Sequence, residues 1–407
     1  MPADPISRVR PTPLAFLAVG WLVVIDVANG VSAGPTSLAG LLSMASVVVM
    51  VFVWLSRGLG GYDEAGFADP GRPPVPLALT LFAVWAVATV PLNPSSEGIQ
   101  NVTVYLGFVL GIAVTGRLCS AGATDRLLGH LQKAGWFVGL VYLASVLVSG
   151  LGASGVYNAR AFALAALVLL GVAVARGQSK ALPVLLLLDV VLSLSRTAAL
   201  MSILVLAVGL AVRSASRGRA LRVLVLLGAG VAVAWFAFTR FAPLRDRFEG
   251  GDQAFSYGGA QFNVSGRADL WSFTLQDARH HWWFGGGPGS ADRAVLNHFL
   301  TVSHPHNDYL RVLHDFGVVG LVVFVLGFVT LMVRTWKLGR ATGRPVHWAA
   351  FLALVGVAGT AFTDNVIVYA FVMVPLGVLV GASLSESSLP ESRSVEPDSR
   401  RATTPSS

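Results

Sequence analysis

The chain has 407 residues, of which 54% are hydrophobic and 12% charged, and its mean hydropathy is +0.69. Soluble domains carry about 25% charged residues, so this composition excludes a soluble multi-domain protein and a disordered one. The single cysteine, Cys119, excludes a disulfide scaffold and a cysteine-rich metal site. The net charge of +8 is spread between apolar runs, so nucleic acid is not an expected partner. A polytopic membrane protein is the class that remains.

Twelve apolar runs predict helices that cross the hydrocarbon core of a bilayer. The expected fold is therefore all-α, a polytopic transmembrane bundle of about 12 spans with one long extracytoplasmic loop containing short amphipathic helices. The predicted spans are 14–30, 35–56, 76–92, 99–116, 134–150, 161–175, 181–195, 197–212, 223–239, 317–335, 348–364 and 366–383.

The positions of the basic residues predict the orientation of these spans. With the N-terminus in the cytoplasm, 20 of the 29 Lys and Arg residues fall in segments predicted inside, as the positive-inside rule requires. Only Arg160 and Arg196 lie in short outside connections. Both termini are thus predicted to be cytoplasmic. The first span also resembles a signal peptide, but Asp26 and Trp21 interrupt its apolar region and favour an uncleaved helix.

Four domains follow from this threading. They are a bundle of spans 1–9 (1–239), an extracytoplasmic loop (240–316), spans 10–12 (317–383) and a polar tail (384–407), predicted to be disordered and cytoplasmic. No repeat of the kind found in many transporters is evident.

The loop 240–316 is the expected functional region, because loops of this length are usually functional. It holds six of the eight histidines. Apolar residues at Trp271, Leu275, Ala278 and Trp282 recur at helical spacing and predict a short interfacial helix.

A histidine motif closes the loop at His304-Pro305-His306-Asn307. Pro305 suits the first turn of a helix, so we expect His306 in that turn. A helix N-terminus disfavours imidazolium, and a neutral imidazole can act as a base near pH 7. The alternatives are histidines that cap the helix or that assemble a metal site.

Two arginines and a glycine run are the other candidates. Arg196 lies at the outer face between two apolar runs, where a charge is costly and often functional. Arg267 begins the predicted interfacial helix, and the alternative for both arginines is a side chain that extends to the interface. The run Gly285–Gly289 can bring backbone N–H groups to a phosphate, or it can form a tight turn.

Together these motifs resemble those of the O-antigen ligase / O-antigen polymerase superfamily of bacterial membrane glycosyltransferases. The segment 306–310, running on to Gly317, is similar to the family's His-Asn-x-x-Leu pattern. Residues 265–271 with the glycines at 285–289 resemble its Gly-Arg…Trp…Gly-x-Gly stretch. Residues 194–196 resemble its Ser-Arg motif, except that Thr197 replaces the usual glycine.

The resemblance implies an inverting glycosyltransferase of the cytoplasmic (inner) membrane, with its active site on the extracytoplasmic side. Such an enzyme takes a glycan from an undecaprenyl-pyrophosphate carrier and joins it to a sugar hydroxyl, without a nucleotide sugar, cofactor or metal. The implied partners are that donor, a glycan acceptor, the lipid bilayer and other polysaccharide-assembly proteins.

The site residues also follow from the resemblance. His306, Arg267 and Arg196 are the predicted catalytic residues, and their three side chains must come together in the fold. The predicted substrate-binding residues are Arg160, Asn307, His304, Tyr309 and Gly287.

Three alternatives stay open at this point. Twelve spans also suit a transporter or flippase for lipid-linked glycans. The histidines also suit a metal-dependent hydrolase at the outer face. The motifs shared with the superfamily do not distinguish a ligase from a polymerase.

Overall fold

A computed structural model describes residues 13–33, 36–58, 74–119, 121–152, 155–212, 228, 254–257, 260–263, 267–300 and 302–385. The ninth predicted span, the loop residues 264–266 and almost all of the predicted tail lie outside the described residues. In the part described, the fold is the expected all-α architecture, with two small antiparallel hairpins. β1 (Ser32–Ala33) pairs with β2 (Thr36–Ser37), and β3 (Ala254–Tyr257) pairs with β4 (Ala260–Asn263).

The described helices follow the apolar runs of the sequence. They are α1 (Pro13–Val24), α2 (Leu38–Gly58), α3 (Leu77–Ala88), α4 (Ser96–Leu118), α5 (Ala121–Ser149), α6 (Ala159–Arg176), α7 (Ala181–Leu192), α8 (Arg196–Val212), α9 (Arg267–Ala278), α10 (Ser290–Phe299), α11 (Asp308–Thr342), α12 (Pro345–Thr360) and α13 (Ala370–Ser385).

Eleven of the predicted spans coincide with these helices. Five helices, α2, α4, α5, α6 and α11, are long and apolar enough to cross a membrane. The shorter apolar helices have 10–17 residues, and 16 residues of α-helix measure about 24 Å, less than the roughly 30 Å hydrocarbon core. A multi-pass membrane protein is thus supported, whereas the expected number of about 12 spans is not confirmed.

Small residues allow the central helices to pack closely. α13 packs on α4, and α12 packs on α6. A Cβ added at Gly171 of α6 would lie 3.0 Å from the backbone nitrogen of Ala353, and one added at Gly111 of α4 would lie 3.2 Å from the carbonyl carbon of Gly377. Because lipid tails are as apolar as the helix surfaces, the hydrophobic effect does not drive helices together within a bilayer. Close backbone packing of this kind stabilises the bundle instead.

The outer surface of the bundle is apolar. On α11 the exposed residues Val322, Leu326, Val329 and Val333 recur at steps of 4, 3 and 4 and form one stripe. A stripe of this kind would be unfavourable in water and is what a helix presents to lipid. This surface agrees with the membrane class expected from composition.

The interfacial helix predicted near Trp271 is α9. Leu270, Thr274 and Ala278 are buried, whereas Leu275 and Trp282 are more than one third exposed. The spacing of large apolar residues therefore marked the outward face, since the inward face of α9 uses smaller side chains.

A kink at Gly317 lets the loop dock on α11. Gly317 has φ 70° and ψ −175°, which breaks the helical conformation within α11. The backbone N–H of Val318 then donates to the carbonyl of Trp282 at 2.9 Å. A Cβ at Gly317 would collide with the backbone of Trp283. The kink thus fixes the turn after α9 against the helix that follows the histidine motif.

Candidate functional site

His306 lies just before a helix rather than inside its first turn. α11 begins at Asp308, and Asn307 is its N-cap, with Oδ1 accepting from the backbone N–H of Leu310 at 3.1 Å. The expectation that Pro305 and His306 occupy the first turn is therefore wrong, because the asparagine caps the helix after them. His306 itself has φ 50°, a left-handed conformation that is uncommon for residues other than glycine.

Three connections between helices meet at His306. The guanidinium of Arg160, at the start of α6, lies 3.1 Å from Nδ1 of His306 and forms an ion pair with Asp364, which follows α12. The hydroxyl groups of Thr197 and Thr363 are 2.7 Å apart, so the start of α8 reaches the same segment. Segments predicted to lie on one side of the membrane thus meet at one end of the bundle.

Arg267 belongs to the same charged cluster. Burial lowers the pKa of Arg267 to about 10, and the positive charges of Arg196 and Arg160 act in the same direction. The arginine remains charged at neutral pH, so three guanidinium groups are close enough to repel one another. Arg196 and Arg160 thus act on Arg267, and Arg160 and Arg267 act on His306, while the catalytic roles of Arg196, Arg267 and His306 stay predictions.

Burial and the neighbouring arginines together set the protonation of His306. Burial is the largest cause that lowers the pKa of His306 to about 3, followed by the charges of Arg160 and Arg267. At neutral pH the imidazole is uncharged. Because the Arg160 guanidinium can only donate, Nδ1 of His306 is the acceptor in this contact, and the ring proton of the neutral form lies on Nε2.

Asp364 is a member of the site that was not identified from the sequence. Its Oδ1 contacts Arg160, lies 4.0 Å from Nδ1 of His306 and accepts from the backbone N–H of Asn365. The carboxylate is almost fully buried and holds the Arg160 guanidinium beside the imidazole. One signal was available, since Asp364 ends a span on the same predicted side as Arg160 and Arg196.

A buried ion-pair network lies beneath His304. Oδ1 of Asp292 is 3.0 Å from both Nδ1 of His304 and the guanidinium of Arg311, and Arg311 also faces Asp308 at 3.7 Å. Burial alone would raise the pKa of Asp292, but Arg311 and His304 outweigh it and hold that pKa below its usual value. His304 is half-exposed and is thereby tied to α10.

Two of the predicted substrate-binding residues are engaged in holding the fold. Asn307 is buried and caps α11 through its side-chain oxygen. The hydroxyl group of Tyr309 donates to the carbonyl of Ala358 at 2.9 Å, and its ring packs on Phe362. These contacts join the histidine motif to the end of α12.

The glycine run forms a tight turn rather than an open cradle for phosphate. The N–H groups of Gly285, Gly286 and Gly287 donate to the carbonyls of His281, His314 and Asp315, and that of Gly289 donates to the Asp315 carboxylate. Gly287 is buried with φ 91°, against the turn at Asn93. The prediction that Gly287 binds substrate through its backbone is therefore corrected, because these donors are already used.

Part of the chain is similar to known proteins. Residues 181–325 match a family model described as O-antigen ligase, and that segment contains Arg196, Arg267 and His306. An O-antigen ligase of Pseudomonas aeruginosa is 31% identical over 77 residues, which cover 19% of this chain and 19% of that protein. The alignment therefore spans about a fifth of the relative's length. Through the matched segment, the chain is similar to the O-antigen ligase family.

Proposed function

We propose that the protein is an inverting glycosyltransferase that moves a glycan from an undecaprenyl-pyrophosphate carrier to a sugar hydroxyl at the extracytoplasmic face of the cytoplasmic membrane. Similarity of residues 181–325 to the O-antigen ligase family supports the coarser statement of glycan transfer in a membrane. The observation that carries the finer proposal is the uncharged His306 beside Arg160 and Arg267, with Arg196 acting on Arg267.

The arginines are suited to a pyrophosphate donor. Guanidinium groups bind phosphate oxygens through two parallel hydrogen bonds and stay charged at any physiological pH. Burial and then the charges of Arg196 and Arg160 lower the pKa of Arg267, and a pyrophosphate bound beside these guanidinium groups would relieve the repulsion between them. As the anomeric bond breaks, charge grows on the leaving pyrophosphate, so fixed positive charges stabilise the transition state.

Donor binding would also activate His306. In the free protein a pKa of about 3 makes the imidazole a poor base. The negative charges of a bound pyrophosphate would offset those of Arg160 and Arg267 and thereby raise the pKa of His306. If the Arg160 guanidinium turns towards the phosphate, it also releases Nδ1. The histidine then becomes an effective base once the donor is bound.

The bond changes are those of a single displacement. The acceptor hydroxyl oxygen attacks the anomeric carbon opposite the pyrophosphate, and the carbon–oxygen bond to the carrier breaks. The hydroxyl proton passes to Nδ1 of His306, and undecaprenyl pyrophosphate leaves with the bonding electron pair. Asp364 holds Arg160 during the step through their ion pair.

Steady-state kinetics with purified protein and a lipid-linked donor test these roles. We expect His306→Ala to lower kcat about 100-fold or more, because a positioned base contributes at least that factor. Arg267→Ala should lower kcat by about 10² to 10³, and Arg267→Lys by less, since it keeps the charge but loses the two-pronged contact.

Exposed residues of the same loop supply matched controls. His280→Ala and Arg279→Ala change a histidine and an arginine on the surface of the turn after α9, and we expect both to retain wild-type kcat within about twofold. Wild-type turnover by His306→Ala would overturn its proposed role. Movement of donor across the membrane with no glycan-linked product would instead support a flippase.

A further inference from the structure

A second cluster of metal-ligating side chains lies apart from the arginines. Asp277 at the end of α9, His281 in the turn that follows and His314 on α11 each offer one ligand atom, and these atoms all lie within 4.8 Å of one another. None of the three contacts His306 or Arg160 in the described hydrogen bonds and ion pairs. The cluster therefore needs an explanation separate from the proposed transfer site.

Local geometry explains why the three side chains meet. Asp277 and His281 are four residues apart on a helical stretch that continues from α9 into a 3₁₀ turn, so they share a face. His314 points at this face from α11, with Nε2 2.8 Å from Oδ2 of Asp277, and its ring meets that of His281 edge-on at 4.5 Å. Two separate segments of chain thus contribute ligands.

The orientation of His314 is fixed from its other nitrogen. The hydroxyl of Ser290 donates to Oδ1 of Asp315 at 3.0 Å, so Nδ1 of His314, also 3.0 Å away, donates to the Ser290 oxygen. Metal-bound histidines usually donate their second ring N–H to an oxygen in this way, which sets the tautomer and the ring angle. Nε2 of His314 shares a proton with Oδ2 of Asp277, and a cation that displaces this proton can bind both atoms.

The cluster also opens on a cavity. Asp277, His281 and His314 line a pocket of about 570 Å³ together with Phe273, Asn297 and His298. His314 is buried, whereas Asp277 is about one third exposed, so one ligand is rigid and one can adjust. Three protein ligands with an open side facing a cavity are the arrangement of metal sites that keep a position for water or another ligand.

We propose that Asp277, His281 and His314 bind one divalent transition-metal ion of the zinc class. Two imidazoles and one carboxylate suit Zn²⁺ and its neighbours rather than Mg²⁺ or Ca²⁺, which prefer oxygen ligands. Bond lengths of about 2.0–2.2 Å require the ligands to close by roughly an ångström. The metal replaces the contact between Oδ2 and Nε2 and joins α9 to α11.

Metal analysis of the full-length protein in detergent tests this proposal. Protein treated with a chelator, then dialysed against Zn²⁺ and buffer, should retain about one zinc ion per chain. Zinc should raise the midpoint of thermal unfolding, because a ligand that binds only the folded state stabilises it. His281→Ala and Asp277→Asn should each lower zinc affinity at least tenfold and abolish the rise.

The control is His298→Ala, which removes a histidine from the same cavity but not from the cluster. It should bind zinc as the wild type does. Each variant is also melted with chelator present, and a midpoint within a few degrees of the wild type shows that it is folded. Substoichiometric zinc in the wild type, or unchanged zinc affinity in His281→Ala with a normal midpoint, would overturn the proposal.

Discussion

Two aspartates that pair with arginine differ in burial, and this difference determines how much each pair contributes to the stability of the fold. Asp292 is buried against Arg311, which is 1% exposed. Asp125 is 68% exposed and lies 3.9 Å from Arg344. A buried charge that loses its partner is left unpaired in a medium of low dielectric constant, whereas an exposed one is solvated by water.

We therefore expect Asp292→Asn to lower the free energy of unfolding by about 3 kcal/mol, and Asp125→Asn to lower it by less than about 1 kcal/mol. Thermal unfolding in detergent measures both. Since Asp292 also holds His304, the first substitution should reduce transfer activity as well. Equal midpoints of thermal unfolding for the two variants would contradict a stabilising role for the buried ion pair between Asp292 and Arg311.

The second prediction at this scale concerns the protonation of His306. Arg160 is the largest charged contributor to its lowered pKa after burial itself. Removing that positive charge makes the imidazolium less unfavourable, so Arg160→Gln should raise the pKa of His306 above about 3. NMR titration of protein with labelled histidine measures this, and the signal is assigned by its loss in His306→Gln.

Arg279→Gln is the matched control for this titration, since Arg279 is exposed and is not among the charges that act on His306. It should leave the pKa of His306 unchanged. A His306 pKa that does not respond to Arg160→Gln would mean that burial alone keeps the ring neutral, and donor binding would then have no charge-based route to activate it.

Candidate site residues could be chosen from the sequence, but the side chains that they pair with could not be predicted. Arg196, Arg267 and His306 stand out because charges are scarce among apolar runs. Asp364 lies 204 residues from Arg160, and no local pattern reports so distant a pairing. Gly287 was misassigned because glycine runs that bind phosphate and those that form tight turns share one composition.

At the scale of the element, Gly317 decides how α11 meets the loop. Its φ of 70° with ψ of −175° falls in a region that is essentially restricted to glycine, and a Cβ would strike the backbone of Trp283. Gly343 has a similar φ of 69° but has nothing within 4 Å of an added Cβ.

These two glycines make a matched pair of substitutions. Gly343→Ala should lower the free energy of unfolding by about 1–2 kcal/mol, the cost of a left-handed conformation. Gly317→Ala should lower it by more than about 3 kcal/mol, since the docked turn must also shift. Comparable midpoints of thermal unfolding for the two variants would show that the turn after α9 can shift at little cost and does not hold α9 in place.

The positions of most membrane helices were predictable because apolar runs are long and membrane helices must satisfy their own backbone hydrogen bonds. Their ends were less so, since α5 begins at Ala121 rather than at 134. The predicted tenth span begins at 317, but the non-helical conformation of Gly317 inside a longer α11 was not predicted. The start of α11 was misplaced for a local reason, as Asn307 is the stronger cap.

At the scale of the whole molecule, the candidate residues come from segments that are far apart in the chain. Arg160 and Arg196 begin helices of the bundle, Arg267 begins a loop helix, and His306 precedes a long apolar helix. The charge pattern predicted that these segments share one side of the membrane, and contacts among Arg160, His306 and Asp364 join them. That convergence is what a reaction on a membrane-anchored pyrophosphate requires.

The most direct measurement is glycan transfer by wild-type protein reconstituted in liposomes with an undecaprenyl-pyrophosphate-linked glycan and an acceptor glycan. ³¹P NMR follows the carrier and mass spectrometry follows the acceptor. The account predicts one undecaprenyl pyrophosphate released for each glycan joined, with the anomeric configuration inverted, and loss of both products in Arg267→Ala but not in Arg279→Ala. Carrier release without a lengthened acceptor, or retained configuration, would contradict it.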